Sequence, residues 1–298
     1  MAIKFIDLFA GIGGFHQAFH NISEANIFQT ECVFASEIDK FARQTYEHNF
    51  KKVSPALFEN NRFMPDVAAV DLTTVPEYDI LCAGFPCQPF SQAGYKRGFQ
   101  DERDNRGNMF FSILKFLEAH RPRAFFLENV RHLIKHDEGR TFETIERMLT
   151  AQGYSFSYKV IKASDFGLPQ HRPRVFMVGF RKEIVKNWEN FQFPEPTELT
   201  QFMSDIFGEP CNKAIGYTLR VGGKASGLMD RRNWDTYLVN GRERRITSVE
   251  GRKMNGFPAK FTFPVSEAQA MKQLGNSVAV PAVEATVLEI LKVLKPNE

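Results

Sequence analysis

Cys87 stands in a setting that suits a nucleophile. It lies between Pro86 and Pro89 in GFPCQPFS, directly after the apolar run YDILCAGF. A thiolate is a strong nucleophile, and its pKa falls near cationic groups or a helix N-terminus. Prolines on both sides fix the backbone at the end of the predicted strand. A buried, inert thiol is the commoner fate of a lone cysteine, so Cys87 by itself leaves both interpretations open.

Two further motifs bring an acid and two cations to the ends of other predicted strands. Glu128 follows the run AFFL, where partial desolvation can raise the pKa of a carboxyl group and suit it to proton donation. Arg172 and Arg174 lie two apart in QHRPRVFMVGF, so we expect both to point to one side and to bind a carbonyl oxygen and a phosphate. The structural alternatives are a helix cap for Glu128 and a surface ion pair for the arginines.

A glycine-rich turn near the start predicts a ligand with an adenosine part. FIDLFAGIGGF reads as a strand, a turn containing Gly11, Gly13 and Gly14, and a helix start, without the spacing of the dinucleotide fingerprint. Glu37 ends the second predicted strand, where a carboxylate can accept hydrogen bonds from ribose hydroxyls. Asp71 ends the third, where it can accept one from an adenine amino group. Each feature taken alone has an alternative. The glycine turn could be purely structural, Glu37 could be a helix cap or a surface acid, and Asp71 could cap a turn.

Alternating strands and helices position these residues. The predicted strands are Lys4–Phe9, Cys32–Ser36, Val67–Val70, Tyr78–Ala83, Arg123–Leu127, Ser155–Ile161 and Val175–Phe180. The predicted helices are Gly14–His20, Lys40–Asn49, Asn108–Ala119 and Thr141–Gln152. This alternation predicts a mostly parallel sheet covered on both faces, in which active sites lie at the carboxyl ends of the strands.

The pattern changes after the last of these strands. The stretch RVGGKASGLMDRRNWDTYLVNGRERR is rich in Gly, Arg and polar residues, and we interpret residues 181–271 as a second, smaller domain. Residues 1–180 and 272–298 form the first, since the helical segment PAVEATVLEILKVL is expected to pack back on it.

Between Lys213 and Lys260, eleven basic and four acidic residues give a net charge of +7, against +3 for the whole chain. Such a segment indicates an anionic partner, nucleic acid first, or a solvated basic face.

Composition argues against several other classes. The 298 residues contain no apolar run of about 18 residues, so no membrane-spanning helix is expected, and the start of the chain does not resemble a secretory signal. Cys32, Cys82, Cys87 and Cys211 form no C-x-x-C pair. This argues against zinc and for a reduced, cytoplasmic setting.

Taken in order, the motifs resemble those of the DNA (cytosine-5)-methyltransferase family. The glycine turn, Glu37, Asp71, GFPCQPFS, ENV, QHRPRVFMVGF and QLGNSVAVP follow the family's order and spacing from Phe5 to Pro281. Each motif is short, but the ordered set is specific. The resemblance implies a Rossmann-like, S-adenosyl-methionine-dependent methyltransferase sheet with a smaller target-recognition domain.

The resemblance implies S-adenosyl-methionine as the cofactor. Glu37 would hold its ribose and Asp71 its adenine, while residues 276–278 would return from the far end of the sequence to close the pocket. The residues that the resemblance assigns to this pocket are Phe9, Gly11, Gly13, Gly14, Glu37, Ile38, Asp71, Leu72, Asn276, Ser277 and Val278.

The resemblance also implies a mechanism. The Cys87 thiolate would attack carbon 6 of cytosine, and Glu128 would stabilise or protonate N3. Arg174 would hold O2, and Arg172 would support the same cluster or a phosphate. A stacked base cannot be reached, so the cytosine must be flipped out, and the polar loop of residues 88–107 would close over it.

Duplex DNA is the partner that the resemblance implies, and no metal is expected. The residues expected to bind the duplex are Gln88, Ser91, Arg97, Arg106, Arg231, Arg232 and Asn233. Trp234 is a further candidate reader of bases, whereas Arg245 and Glu250 are expected to be structural.

Three alternatives stay open from the sequence. A tRNA cytosine methyltransferase of the same fold shares the Cys and Glu chemistry. A non-catalytic DNA-binding relative would keep the fold, but the presence of all four catalytic candidates argues against it. A nicotinamide-dependent oxidoreductase leaves PCQPFS unexplained. Size and family favour a bacterial restriction-modification enzyme, monomeric and paired in function with an endonuclease.

Overall fold

The centre of the molecule is a seven-stranded sheet. The computed structural model describes residues 2–86, 109–222 and 227–295. The strands are β1 (Ile3–Leu8), β2 (Thr30–Ser36), β3 (Phe63–Met64), β4 (Ile80–Gly84), β5 (Ala124–Val130), β6 (Ser157–Lys162) and β7 (Pro173–Phe180). Their spatial order is β3-β2-β1-β4-β5-β7-β6, and the pairing is parallel except that β7 runs antiparallel to both its neighbours. The predicted α/β class with a mostly parallel, Rossmann-like sheet is confirmed.

Helices cover both faces of this sheet. They are α1 (Gly14–Glu24), α2 (Lys40–Phe50), α3 (Pro55–Glu59), α4 (Met109–His120), α5 (Arg140–Ala151), α6 (Met203–Phe207), α7 (Ser248–Met254), α8 (Glu267–Asn276) and α9 (Val280–Leu294). The C-terminal helix α9 packs on α1 as the sequence predicts, and Asn21 Nδ2 donates to Glu284 Oε2 across this contact at 2.8 Å.

Alternation along the central strands divides the core in two. Phe5 on β1 and Phe126 on β5 belong to the core that includes α1 and α9. Their sequence neighbours Ile6 and Phe125 belong to the core that includes α4 and α5. Successive side chains of a strand point to opposite faces, so strands buried on both faces read as continuous apolar runs. Burial on both faces holds the carboxyl ends of β1, β4 and β5 in a fixed arrangement.

The third predicted strand is wrong. Val67–Ala69 forms a 3-10 turn, and the strand beside β2 is β3, a few residues earlier. Asp66 accepts a hydrogen bond from the amide of Ala68 at 2.9 Å. This bond stabilises a turn in place of the backbone hydrogen bonds of a strand. Asp71 caps a second such turn, Leu72–Thr74, and so it does not end a strand.

A small antiparallel hairpin forms the second sheet. It consists of β8 (Thr236–Val239) and β9 (Arg242–Arg245). Asn240 and Gly241 join the strands, both with positive φ (47° and 74°), which is the turn that best matches the twist of a hairpin. We call residues 181–271 the target-recognition region below; its limits stay a prediction.

Candidate active site

The turn after β1 forms a cradle at the carboxyl edge of the sheet. Phe9 and Gly11 both have a φ of 56°, in the left-handed region, and the amide of Ala10 donates to the carbonyl of Ser36 at 2.9 Å. A Cβ placed on Gly11 would meet no atom of the described residues within 4 Å, so that part of the structure leaves the cradle open there. The left-handed conformation is strained for a residue other than glycine, such as Phe9, and such strain often marks a functional site.

The other two glycines of the turn serve packing. A Cβ on Gly13 would lie 2.3 Å from Cε2 of Phe50, and one on Gly14 would lie 2.4 Å from Cγ2 of Val278. Ser277 and Val278, two of the three residues predicted to return to this turn, therefore lie against it, and their contact with a cofactor stays a prediction. Asn276 is exposed, while the buried Ser277 Oγ has no hydrogen-bond partner among the described residues.

Glu37 lies beside the cradle at the end of β2. Its Oε2 accepts from the amide of Gly11 and its Oε1 from the amide of Asp39, both at 2.7 Å. Burial raises the pKa of Glu37, although the amides of Asp39 and Gly11 act against the rise. The residue that directly follows this acid, Ile38, is 75% exposed.

Asp71 and Leu72 lie in the 3-10 turn that replaces the predicted strand end. Oδ1 of Asp71 accepts from the amide of Thr73 at 3.0 Å and from its hydroxyl at 2.7 Å. These hydrogen bonds, first of all that from the Thr73 hydroxyl, lower the pKa of the exposed Asp71. Leu72 is half-buried against the core. Contact of either residue with adenine stays a prediction.

A buried acid–cation pair occupies the ends of β5 and β7. Nε of Arg174 lies 2.9 Å from Oε1 of Glu128. A Cβ on Gly84, the last residue of β4, would lie 3.5 Å from Oε2 of Glu128, so the carboxyl group sits over the end of that strand. Glu128 is 8% exposed, and its burial raises its pKa even though Arg174 and then Arg172 lower it. The carboxyl group therefore holds a proton at higher pH than an ordinary glutamate.

Asn129 fixes the chain that leads to the predicted nucleophile. Its Nδ2 donates to the carbonyl of Phe85 at 2.9 Å, and its Oδ1 accepts from the amide of Val130 at 2.8 Å. Phe85 stands two residues before Cys87 in the sequence. Asn129 has no predicted role of its own beyond its place in the ENV motif; the signal that could have revealed this role is its position next to Glu128 at a strand end.

Arg172 has a different setting from the one predicted. It is 1% exposed, and its guanidinium donates to the carbonyls of Leu219, Gly275 and Ser277. Burial lowers the pKa of Arg172, but a guanidinium stays protonated in proteins. Nη1 and Nη2 bind the main chain, whereas Nε has no partner among the described residues. The buried guanidinium does not face solvent, where a phosphate would lie; the other predicted role, support of the Glu128 cluster, stays a prediction.

Asn233 is also buried rather than presented to a groove. It is 6% exposed, its Nδ2 donates to the carbonyl of Thr236 at 2.7 Å, and its Oδ1 accepts from the amide of the same residue at 2.9 Å. The side chain shapes the turn into β8, so it is not free to read a base. Trp234 is buried as well, and its Nε1 donates to the carbonyl of Gly222 at 3.1 Å.

The two arginines before Asn233 are exposed, and their contact with DNA stays a prediction. Arg231 is exposed, and Arg232 pairs with Asp230 at 2.9 Å. Glu250 is buried and structural as expected. It pairs with Arg244 at 2.8 Å, whereas Arg245 is exposed.

Several predicted site residues lie outside the described ranges. These are Cys87, Gln88, Ser91, Arg97 and Arg106. Within the described ranges, no cluster of His, Cys, Asp and Glu is arranged to hold a metal ion. In those same ranges, no helix is long and apolar enough to cross a membrane.

Fold and site together define a class of protein. A glycine cradle after β1 and an acid after β2 characterise a Rossmann-like enzyme that binds a nucleoside-containing cofactor, here with a buried Glu–Arg pair at the adjoining strand ends. The family model for the C-5 cytosine-specific DNA methylase matches residues 3–226 and 218–292. The chain therefore belongs to this family and is a DNA (cytosine-5)-methyltransferase.

Known proteins match over nearly the whole chain. The chain is 37% identical to the type II methyltransferase M.SsoII of Shigella sonnei, over 98% of this chain and 80% of that protein. It is 33% identical to M.HhaI of Haemophilus parahaemolyticus, over 95% and 92% of the two chains. The crystal structure of a Spodoptera frugiperda DNMT2 mutant matches with a TM-score of 0.71 at 18% identity, over 98% and 99% of the two chains, and supports the fold.

Proposed function

We propose that the chain transfers a methyl group from S-adenosyl-methionine to carbon 5 of a flipped-out cytosine in a specific duplex DNA sequence, through a covalent bond between Cys87 and carbon 6. The place of β4 carries this proposal. β4 lies between β1, which leads into the glycine cradle, and β5, which carries Glu128 near its carboxyl end. Because Cys87 follows β4 in the sequence, the nucleophile, the cofactor and the acid would meet at one edge of the sheet.

The cradle fits S-adenosyl-methionine by its own features. Within the described part of the chain, Gly11 faces open space, Ile38 is exposed and Ser277 Oγ has no partner, so a ligand would add contacts at all three places. Glu37 would accept from ribose hydroxyls, with its carboxylate already oriented by two amides. Phe9 and Ile38 would cover the adenine ring. The cofactor, when bound, supplies an electrophilic methyl group on a sulfonium.

Cys87 and Glu128 would act together on the base. A bond from the Cys87 sulfur to carbon 6 breaks the aromaticity of the ring and makes carbon 5 enamine-like. Negative charge would then develop at N3, where Glu128, whose pKa is raised by burial, would donate a hydrogen bond or a proton. Arg174, held by Glu128, would bind O2. After transfer, a base removes the carbon 5 proton, and the bond between sulfur and carbon 6 breaks to release Cys87.

Duplex DNA would reach this edge with one base flipped out, which needs a few kcal/mol. The basic segment between Lys213 and Lys260 would supply much of the attraction to phosphates. Arg231 is exposed and suited to this. The relatives that carry type II methyltransferase names support a role in protecting host DNA within a restriction-modification system.

A trapping experiment tests the proposal. Duplex DNA of random sequence containing 5-fluorocytosine is incubated with S-adenosyl-methionine and either wild type or Cys87→Ser, because fluorine at carbon 5 blocks the final elimination. We expect a methylated, DNA-linked protein with wild type alone, mapped to Cys87 by mass spectrometry. Sequencing the trapped DNA then gives the recognition sequence.

The controls separate the alternatives. Omission of S-adenosyl-methionine must abolish the methylated adduct. An adduct on tRNA containing 5-fluorocytosine, with none on the duplex, would assign the enzyme to RNA. No adduct on either nucleic acid would overturn the covalent mechanism and favour a protein that only binds DNA.

A further inference from the structure

The segment of residues 274–278, LGNSV, has two neighbours that belong to different functions. On one side, Val278 and Ser277 lie against the glycine turn, where a Cβ on Gly14 would be 2.4 Å from Val278 Cγ2. On the other, Gly275 lies against the target-recognition region, where a Cβ would be 2.6 Å from the carbonyl carbon of Arg220. We call these five residues the shared wall. A movement of either neighbour displaces it, because close-packed interiors leave no slack.

Arg172 ties the shared wall to the target-recognition region. One nitrogen of its guanidinium, Nη1, donates to the carbonyl of Leu219 at 3.2 Å. The other, Nη2, donates to the carbonyl of Gly275 at 2.9 Å and to that of Ser277. A planar guanidinium holds its acceptors in one fixed geometry, which an ammonium does not. The positions of Leu219 and of the shared wall therefore depend on one side chain.

A buried amide network reinforces this connection. Gln170 Oε1 accepts from the amide of Leu219 at 3.1 Å, and its Nε2 donates to Oδ1 of Asn255 at 2.8 Å. Nδ2 of Asn255 donates in turn to the carbonyl of Leu274 at 2.9 Å. Both amides are fully buried. Polar networks satisfied in this way are stiff, since each unmade bond leaves a buried group unpaired.

We infer that Arg172 is a positioning residue that couples target recognition to cofactor binding through the shared wall. The inference rests on the proposed function, since it takes residues 219–221 to move when duplex DNA is read. Such a movement displaces the carbonyl of Leu219, and Arg172 transmits it to Gly275 and Ser277. Ser277 and Val278 then change the shape of the cradle at Gly14. Correctly bound DNA therefore tightens cofactor binding, and by linkage the cofactor tightens binding to the correct DNA.

The test measures this coupling directly. The probe is S-adenosyl-homocysteine, the demethylated product, which binds without turnover. Its Kd is measured by calorimetry with and without a cognate duplex taken from the trapping experiment, and the ratio of the two values is the coupling factor. For wild type we expect a factor in the range of roughly 5 to 150. In Arg172→Lys, which keeps the charge and loses the planar fork, the factor should fall towards 1.

Two further variants test whether a change in the coupling factor is specific to the shared wall. Gly275→Ala should also reduce the coupling factor, because its Cβ forces the shared wall away from Arg220. Arg181→Lys is the matched control: Arg181 also donates to a backbone carbonyl, that of Arg121, but at the other end of β7. It should keep the wild-type coupling factor.

The outcomes decide between positioning and plain structural support. A lower Tm with an unchanged coupling factor in both Arg172→Lys and Gly275→Ala would reduce Arg172 to a structural residue. A wild-type coupling factor of 1 would also overturn the inference. Failure of the proposed function looks different, because wild type would then form no methylated adduct at all.

Discussion

The cradle and the Glu128 site both hold a carboxyl group at a strand end, but they stabilise it by opposite means. Glu37 accepts hydrogen bonds from two backbone amides, and the fold holds these donors in place. Glu128 is enclosed and faces Arg174 through a side chain. Burial raises the pKa of both acids. The comparison shows two settings for a carboxyl group. Fixed backbone amides suit a carboxylate that binds a ligand by accepting hydrogen bonds, whereas burial beside one cation suits an acid that exchanges a proton.

The largest expected effect separates the two sites by kinetics. Glu128→Gln keeps the shape of the side chain and removes its ability to give and take a proton. We expect kcat to fall by about 10²–10⁴, the usual contribution of a general acid. The Kd for S-adenosyl-homocysteine should stay within a few-fold of wild type, as measured by calorimetry. A large loss of cofactor affinity would mean that the two sites are not separate in function.

The matching change in the cradle should act on binding. Glu37→Gln turns one acceptor into an NH₂ group that faces the amide of Gly11 or Asp39. An unmade buried bond costs about 1–3 kcal/mol, so the KM for S-adenosyl-methionine should rise roughly 10- to 100-fold. The kcat at saturating cofactor should change little. If kcat falls as far as it does in Glu128→Gln, the division between binding and proton exchange is wrong.

The pH dependence of stability sharpens the same comparison. The folded pKa of Glu128 is raised above its usual value of 4.5, so the folded state binds the proton more tightly than the unfolded state. Its stabilising effect is therefore complete below the unfolded pKa and is lost as pH rises through the folded pKa. Denaturant titrations of wild type should show this decline, and it should be smaller in Glu128→Gln, which keeps only the share due to Glu37 and other buried acids. Removing the cation in Arg174→Gln should move the decline to higher pH.

Two glycines of the cradle offer a smaller contrast. Gly14→Ala places a methyl group 2.4 Å from Val278 Cγ2, and overpacking of this kind costs about 1–3 kcal/mol. Gly11→Ala meets no atom within 4 Å, so only its φ of 56° opposes it, at about 1 kcal/mol. Denaturant unfolding of both variants checks the order, and an equal loss would contradict the packing role of Gly14.

The smallest effect is expected in the target-recognition region. Arg231→Ala should weaken DNA binding nearly uniformly across sequences and lower the salt slope of log K by about 1. Asn233→Ala should reduce the free energy of unfolding, because it removes the bonds to Thr236. Binding assays across salt concentrations, alongside denaturant melts, distinguish the two residues.

Sequence patterns predicted the sheet and the order of its polar strand ends, because apolar runs and the residues that follow them are local features. The strand at Val67–Val70 was misread, since the caps provided by Asp66 and Asp71 outweigh a short apolar run. The partners of Arg172 could not be predicted, because Leu219 and Ser277 are distant in the sequence. The burial of Asn233 depends on a local turn within a polar stretch that has no periodicity.

The packing of α9 on α1 has a consequence for how the enzyme acquires its cofactor site. The residues that meet there are far apart in the chain; Asn21 and Glu284 are separated by 263 positions. A contact of such long range cannot form until both of its segments have been synthesised. During synthesis, the turn made first therefore stays open on one side until the shared wall and α9 have emerged. Under the proposed function, affinity for S-adenosyl-methionine would thus require the C-terminal part of the chain to be in place.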